Sequence, residues 1–155
     1  LPGAQVPAGG VVSAGPSTLD WHRIAVGDEV APLVVDVTAS VVVAGALATR
    51  DFMPVHHDRD YANAQGAPDI FMNILSTNAY CTRFLTDWAG PDAMVRRLSI
   101  RLGVPVMPGS TLTFSGAVTG TATDDGDGLV EIAFRATNDL GDHVTGTAEL
   151  AIPLA

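Results

Sequence analysis

Lysine is absent from the sequence, so all eight basic residues are arginine, and 17 aspartate and glutamate residues outnumber them. The formal net charge is −9, whereas proteins that bind nucleic acid usually carry a basic patch that complements the phosphate backbone. Nucleic acid is therefore not an expected partner. Arginine still recognises phosphate through its planar guanidinium, so an anionic small molecule is compatible with this composition.

Cysteine is almost absent as well, because Cys81 is the only one and cannot form a disulfide within the chain. This usage is typical of a reducing compartment, and we expect a cytoplasmic protein. Cys81 lies in an apolar pattern of helical period, which predicts a buried thiol. Cysteine and histidine do not cluster at zinc-binding spacing, and the neighbours His56 and His57 cannot readily face one metal ion. We therefore expect no metal site.

No stretch of apolar residues is long enough to cross a bilayer, so a membrane protein is not expected. Hydrophobic residues make up 47% of the 155 residues, which is enough for one globular domain with a buried core. Residues 1–19 carry no charged side chain and are rich in glycine, proline, alanine and valine. We interpret them as an irregular extension, a linker remnant or an arm that docks on a neighbouring subunit. The folded domain is placed at residues 20–155.

The pattern of apolar residues predicts an α+β fold. Thr38 and Asp58 are expected to cap two short helices, and a longer apolar stripe lies between the start signal Pro68-Asp69 and the stop signal Gly90-Pro91. In chain order, the predicted elements are a strand over 32–37, helices over 39–48, 60–64 and 70–88, and strands over 95–104, 111–121, 129–137 and 143–151. One long helix followed by antiparallel strands indicates a sheet wrapped around that helix.

The segment from Asp51 to Asp58, DFMPVHHD, carries the strongest chemical signal. Pro54 fixes its own φ and biases Met53 away from the helical region, so the segment is expected to be a bent loop. Such a loop can bring Asp51 and His56 together around one water molecule, as addition of water to a polarised double bond requires. Taken singly, Asp51 could cap a helical turn and His56 could be a buried structural histidine. Their joint spacing favours a catalytic pair.

These residues resemble the signature of the MaoC-like (R)-specific enoyl-CoA hydratases, which have the hot-dog fold. The signature contains an aspartate, a proline three residues on, a histidine two further, and an aspartate and an alanine in the next helical turn. The corresponding residues here are Asp51, Pro54, His56, Asp58 and Ala62. The resemblance extends from about residue 36 to the C-terminus. It implies a single hot-dog domain that hydrates an α,β-unsaturated acyl-CoA thioester, with Asp51 and His56 acting jointly.

Several short blocks are similar to one branch of this family, the small subunit of the two-subunit enoyl-CoA hydratase of steroid side-chain degradation. In order, they are ALATRDF, VHHDRD, AQG, DIF, NIL, TDWAGP, RLGVP, TFSG and LGDHVT. The resemblance implies that the substrate is a steroid side-chain enoyl-CoA of cholesterol-type catabolism. Coenzyme A is then part of the substrate, and no separate cofactor is implied. The resemblance also implies a hetero-oligomer with a larger MaoC-like subunit that lacks the catalytic pair. A thiolase-like aldolase that acts downstream is a further candidate partner.

The chain departs from the general family pattern at three positions. The family has asparagine where Met53 stands and a His-Gly pair where Met72 and Asn73 stand. In the family, the backbone N–H of that glycine contributes to the oxyanion hole, so the resemblance assigns this role to the backbone of Asn73. A helix capped by Asp69 would already use the Asn73 N–H, so the role requires a later helix start. Met53, Met72 and Asn78 are expected to contact the substrate.

Other functions stay open at this point. A homodimeric hydratase for short linear acyl-CoA could use the same residues, whereas a non-catalytic hot-dog scaffold would need neither Asp51 nor His56. A hot-dog thioesterase is disfavoured, because thioesterases usually carry a carboxylate on the central helix and no acid lies between Asp69 and Asp87.

The remaining polar candidates have structural interpretations. His57 is expected at the surface, and His143, beside a predicted turn, is expected to be structural. Arg97 and Arg101 share one face of a predicted strand, where CoA phosphates, solvent and another subunit are all compatible partners.

Overall fold

The computed structural model describes residues 17–154. The predicted extension over residues 1–19 falls almost entirely outside this range, so its docking role and the boundary at residue 20 stay predictions. The first described residues lie against the end of the central helix. The Leu19 N–H donates to the Ala89 carbonyl (2.9 Å), and the Thr18 hydroxyl donates to the Asp92 carboxylate (2.9 Å).

Within residues 17–154, five antiparallel strands form one sheet in the order β1-β3-β4-β5-β2. Their bounds are β1 (Glu29–Asp36), β2 (Met94–Leu102), β3 (Thr111–Asp124), β4 (Asp127–Asn138) and β5 (Gly141–Pro153). Short turns join the last three strands into consecutive hairpins. In the turn between β3 and β4, Asp125 and Gly126 both have positive φ angles (44° and 91°), as a type I′ turn requires.

In the described part of the chain, three α-helices accompany the sheet, namely α1 (Ala39–Ala48), α2 (Arg59–Ala64) and α3 (Ile74–Ala89). Both predicted caps of the short helices are confirmed. The Thr38 hydroxyl accepts a hydrogen bond from the Val41 N–H, and the Asp58 carboxylate accepts one from the Tyr61 N–H. These side chains satisfy donors that a helix start leaves without an intrahelical partner.

The central helix α3 begins later than the sequence predicted. Asp69 does not cap it, because its carboxylate binds the guanidinium of Arg59 (2.7 Å). The Met72 N–H donates to the carbonyl of Val106 (2.9 Å), which holds this stretch in a non-helical conformation. The residue at the N-cap is Asn73, four positions beyond Asp69, the predicted cap. Contacts with residues distant in sequence therefore override the local start signal.

Helix α3 packs its apolar face against the sheet. The Phe84 ring stacks on Phe114, with ring centroids 5.7 Å apart, and lies 6.1 Å from Phe134. Cys81 is buried beside them as predicted, and burial raises the pKa of its thiol to about 12. One antiparallel sheet around one long helix is the predicted α+β hot-dog architecture, which is confirmed.

Within residues 17–154, no helix is both long and apolar enough to span a membrane. In the same part of the chain, no three residues among His, Cys, Asp and Glu are grouped so that they could hold a metal ion.

Candidate active site

Asp51 and His56 face each other across a bent loop, as the sequence predicted. Asp51 follows the end of α1, where Arg50 adopts a left-handed conformation (φ 57°) and turns the chain out of the helix. Pro54 then begins a single 3₁₀ turn that ends at His56. The distance from Nε2 of His56 to Oδ2 of Asp51 is 3.4 Å. A proline-containing turn, rather than a helical face, brings the two side chains together.

The orientation of the His56 ring is fixed by Phe71. Nδ1 lies 2.7 Å from the Phe71 carbonyl, and the imidazole packs edge-on against the Phe71 ring, with centroids 5.1 Å apart. A carbonyl can only accept, so Nδ1 carries the hydrogen and Nε2 of the neutral ring has a lone pair. His56 is buried, and that lone pair points towards Asp51.

The carboxylate of Asp51 is held by hydrogen bonds that favour its charged form. Oδ2 accepts from the side-chain amide of Asn73 (2.9 Å), and Oδ1 accepts from the backbone N–H of Met53 (3.3 Å). The bond from Asn73 is the main cause that lowers the pKa of Asp51 below its ordinary value, and the bond from the Met53 N–H adds to the effect. Asp51 is therefore ionised at neutral pH.

Asn73 uses its whole side chain to join α3 to this site. Its Oδ1 accepts from the Ser76 N–H (2.9 Å), which caps the helix, while its Nδ2 donates to Asp51 and to the Thr49 hydroxyl (2.8 Å). Sequence reasoning missed both this amide role and Thr49. The only local signal for Thr49 is its position two residues before Asp51, since its partner lies 24 residues away.

The backbone N–H of Asn73 is a second feature of this candidate site. Because α3 begins at Ile74, the Asn73 N–H lies outside the helical hydrogen bonds, and no described residue accepts from it. An oxyanion-hole role for the Asn73 N–H requires a helix that starts after Asp69, and α3 meets this requirement. The start of a helix also carries partial positive charge, which favours an anion at this position.

The other predicted site residues differ in how much of their surface is exposed. Met53 is 53% exposed and lies in the loop between Asp51 and His56, whereas Met72 is 4% exposed and belongs to the hydrophobic core. Asn78 is half-buried on α3, beyond the first helical turn. Substrate contacts for these three residues stay predictions. His57 is exposed, as expected.

Large apolar side chains flank the pair even though they face solvent. Two of them directly follow Asp51, two directly follow Asn73, and one lies near the end of α1. They are Leu47, Phe52, Met53, Ile74 and Leu75, each between 46% and 61% exposed. Such a concentration of exposed apolar surface is typical of a binding site for a ligand or for another protein.

Comparison with known proteins identifies relatives with this architecture. A family model described as a MaoC like domain matches residues 25–139. The 3-oxo-4,17-pregnadiene-20-carboxyl-CoA hydratase beta subunit of Mycobacterium tuberculosis is 51% identical over 111 residues, which cover 72% of this chain and 83% of that protein.

Two solved structures extend the comparison to three dimensions. A chain of the ChsH1–ChsH2 complex from Mycobacterium tuberculosis superposes with a TM-score of 0.77 at 48% identity, covering 83% of this chain and 98% of that one. R-hydratase PhaJ1 from Pseudomonas aeruginosa has a TM-score of 0.77 at 23% identity, covering 89% and 88% of the two chains, and this similarity concerns the fold. The family match includes Asp51, His56 and Asn73 as well as strands β1 to β4. The chain therefore belongs to the family of MaoC-like domains.

Proposed function

We propose that this chain hydrates an α,β-unsaturated acyl-CoA thioester. The observation that carries the proposal is the pair of acceptors 3.4 Å apart, Nε2 of His56 and Oδ2 of Asp51. A lone pair and an ionised carboxylate do not bond directly, but one water molecule can donate a hydrogen to each. The oxygen lone pairs of that water then point away from both residues, towards a bound double bond.

The same geometry gives the two residues different roles, because Asp51 holds the water by a hydrogen bond and His56 transfers its proton. Asn73 stabilises the charged form of Asp51, so His56 is the group that accepts the proton from water. The water oxygen forms a bond to the β-carbon, and the electrons of the double bond move to the thioester oxygen. The imidazolium of His56 then returns its proton to the α-carbon. One C–O bond and one C–H bond replace the carbon–carbon π bond, and the enzyme is regenerated.

The backbone N–H of Asn73 is proposed to stabilise the charge on the thioester oxygen. No described residue accepts from this donor, and it lies at the positive end of α3. One such donor contributes about 3–4 kcal/mol to transition-state binding in enzymes where it has been removed. Because the donor is a backbone group, asparagine can serve where the general family pattern has glycine.

The proposed substrate is a steroid side-chain enoyl-CoA. Support comes from the 51% identity to the beta subunit of a hydratase whose name specifies a pregnadiene carboxyl-CoA. The five exposed apolar residues around the site also suit a bulky apolar acyl group. Coenzyme A would be part of this substrate, and no separate cofactor is proposed.

A larger MaoC-like subunit without the catalytic pair is the proposed partner. A chain that is 48% identical occurs in the ChsH1–ChsH2 complex, and strands β1 and β2 of this chain end the sheet with unpaired edges within the described residues. Hydration yields a β-hydroxy thioester, which is the arrangement that retro-aldol cleavage needs. A downstream aldolase is proposed as a further partner on that chemistry.

The proposal can be tested by coexpressing the chain with a candidate larger subunit. Loss of enoyl-thioester absorbance would be followed with a steroid substrate and with a short linear one, for the complex and for the chain alone. We expect hydration of the steroid substrate by the complex. A fully active homodimer that prefers the linear substrate would support the short-chain alternative, and a complex without hydratase activity would support a scaffold.

A further inference from the structure

A buried histidine outside the proposed catalytic pair is bonded to the first turn of α3. His143, at the start of β5, is 4% exposed, and both of its ring nitrogens have partners. Nδ1 lies 2.7 Å from the carbonyl of Val104, and Nε2 lies 2.9 Å from the hydroxyl of Thr77. The ring therefore spans the space between a loop that follows β2 and the helix that carries Asn73.

The direction of these hydrogen bonds follows from the groups involved. The Val104 carbonyl can only accept, so Nδ1 of His143 carries the hydrogen. Burial lowers the pKa of His143, which keeps the ring neutral and leaves Nε2 as an acceptor. The single hydrogen of the Thr77 hydroxyl is therefore directed at Nε2.

Thr77 differs in this respect from other threonines of α3. The hydroxyls of Thr82 and Thr86 each donate to the carbonyl four residues earlier, at 3.0 Å in both cases, which is the usual local bond of a helical threonine. The Thr77 hydroxyl lies 3.2 Å from the equivalent carbonyl of Asn73 but 2.9 Å from His143. Its bond thus leaves the helix and attaches the first turn to the sheet.

Hydrogen bonds connect Thr77, through Asn73, to the carboxylate of Asp51. The Thr77 N–H donates to the Asn73 carbonyl (3.1 Å), and the Asn73 side chain donates to Asp51. On the other side, His143 is held by its own backbone, because its carbonyl accepts from the Gly103 N–H (2.8 Å). A Cβ at Gly103 would overlap the carbonyl of the residue before His143, so the two backbone segments are closely packed at this point.

We infer that His143 and Thr77 are positioning residues that hold the start of α3, and through Asn73 the Asp51 carboxylate, at the geometry needed for hydration. The inference rests on the proposed function, and it concerns residues that touch neither the water nor the thioester. The contacts run from β5 to Thr77, from Thr77 to Asn73 and from Asn73 to Asp51. Misplacement of a reacting group by a fraction of a bond length is costly to catalysis even when the fold is intact.

The first test compares three threonine variants in the active complex. Thr77→Val keeps the shape of the side chain and removes the hydroxyl, and we expect kcat to fall on the order of tenfold or more with KM little changed. Thr77→Ser keeps the hydroxyl and should restore most of the rate. Thr86→Val makes the same chemical change on the same helix, away from the site, and should leave kcat unchanged. Equal kcat values for Thr77→Val and Thr86→Val would overturn the inference, whatever their melting temperatures.

The second test does not depend on activity. A ¹³C NMR titration of the Asp51 carboxyl would be recorded for the wild type, Thr77→Val and Thr86→Val. We expect only Thr77→Val to move the Asp51 pKa upwards, because the Asn73 amide would be less well placed. An unchanged titration in Thr77→Val would overturn the inference. If the wild type does not hydrate enoyl thioesters, the proposed function fails, and this titration still decides whether the attachment positions Asp51.

Discussion

The side-chain amide of Asn73 donates to the carboxylate of Asp51 at 2.9 Å, so the N-cap residue of α3 holds a residue three positions beyond the end of α1. The same amide donates to Thr49 at 2.8 Å, and the Thr49 hydroxyl in turn donates to the Gly45 carbonyl within α1 (2.8 Å). The two helix ends are therefore joined by side chains at the point where the proposed chemistry takes place. The charge of Asp51 and its position depend on the same bond.

Replacing Asn73 with aspartate should separate its capping role from its donor role. Asn73→Asp keeps an oxygen for the Ser76 N–H, so α3 retains its cap. It also places a second carboxylate against Asp51, and like charges in one site raise a pKa. We expect a higher Asp51 pKa by NMR titration and a hydration rate lower by about tenfold or more. Asn63→Asp, on exposed α2, is the matched control, and an Asp51 pKa that stays low in Asn73→Asp would contradict the assignment.

Removing either member of the proposed catalytic pair should abolish most turnover without unfolding the chain. Asp51→Asn and His56→Ala are each expected to lower the hydration rate by about 10²–10⁴-fold, the usual contribution of general acid–base catalysis. The enoyl-thioester absorbance assay measures this loss, and circular dichroism checks the fold. Asp60→Asn and His57→Ala change exposed neighbours of the same types and should keep the wild-type rate. Near-normal rates in both site variants would refute the mechanism.

The buried ring of His143 should make stability depend on pH. Burial lowers its pKa in the folded chain, whereas the unfolded value is about 6.5. Between the two values the unfolded chain binds a proton that the folded chain does not. The free energy of unfolding should therefore fall as pH drops from about 6.5 to the folded pKa. Urea unfolding at a series of pH values should show a flatter profile for His143→Gln than for His57→Gln. Parallel profiles would count against this explanation.

The close approach of α1 and α3 should make Gly45 intolerant of a side chain. Alanine within a helix normally stabilises relative to glycine by about 0.5–1 kcal/mol. At Gly45, however, a Cβ would overlap the hydroxyl oxygen of Ser76. We expect Gly45→Ala to lower the free energy of unfolding by about 1–3 kcal/mol, the usual range for overpacking.

A variant of Ser76 tests the same contact from the side of α3. The Ser76 hydroxyl is buried and has no hydrogen-bond partner among the described residues. Ser76→Ala should therefore be neutral or stabilising, because it removes an unsatisfied polar group. It should also reduce the cost of Gly45→Ala only in part, since the Ser76 Cβ would still lie 3.2 Å from the new Cβ. Strictly additive effects in urea unfolding would show that the two positions do not interact.

The sequence predicted those elements whose signals are local. Helix α1 has the expected bounds and the expected Thr38 cap, because the capping side chain and the N–H that it accepts are three residues apart. The start of α3 was placed too early, because Asp69 has the properties of a cap but is bound by Arg59. A start signal cannot reveal that its carboxylate is occupied by a partner from another helix.

In the site too, the local relationship was predictable and the contacts between distant residues were not. Asp51 and His56 are five residues apart, and a proline between them made their approach predictable. The side-chain contacts that support them were not predicted, because the partners are distant in sequence. Asn73 reaches Asp51 across 22 residues, and Thr77 reaches His143 across 66. Each contact exists only once the helix and the sheet have packed together.

The left-handed turn at Arg50 bears on any attempt to engineer a more robust protein. A non-glycine residue in this conformation costs about 1–2 kcal/mol, and Arg50 immediately precedes Asp51. Arg50→Gly would relieve that cost, and a design procedure that ranks substitutions by stability would select it. Glycine would also permit many other backbone angles at the joint that directs the carboxylate. Heat tolerance gained there would come with a less precisely oriented Asp51 carboxylate, so thermostabilising changes are better placed elsewhere in the fold.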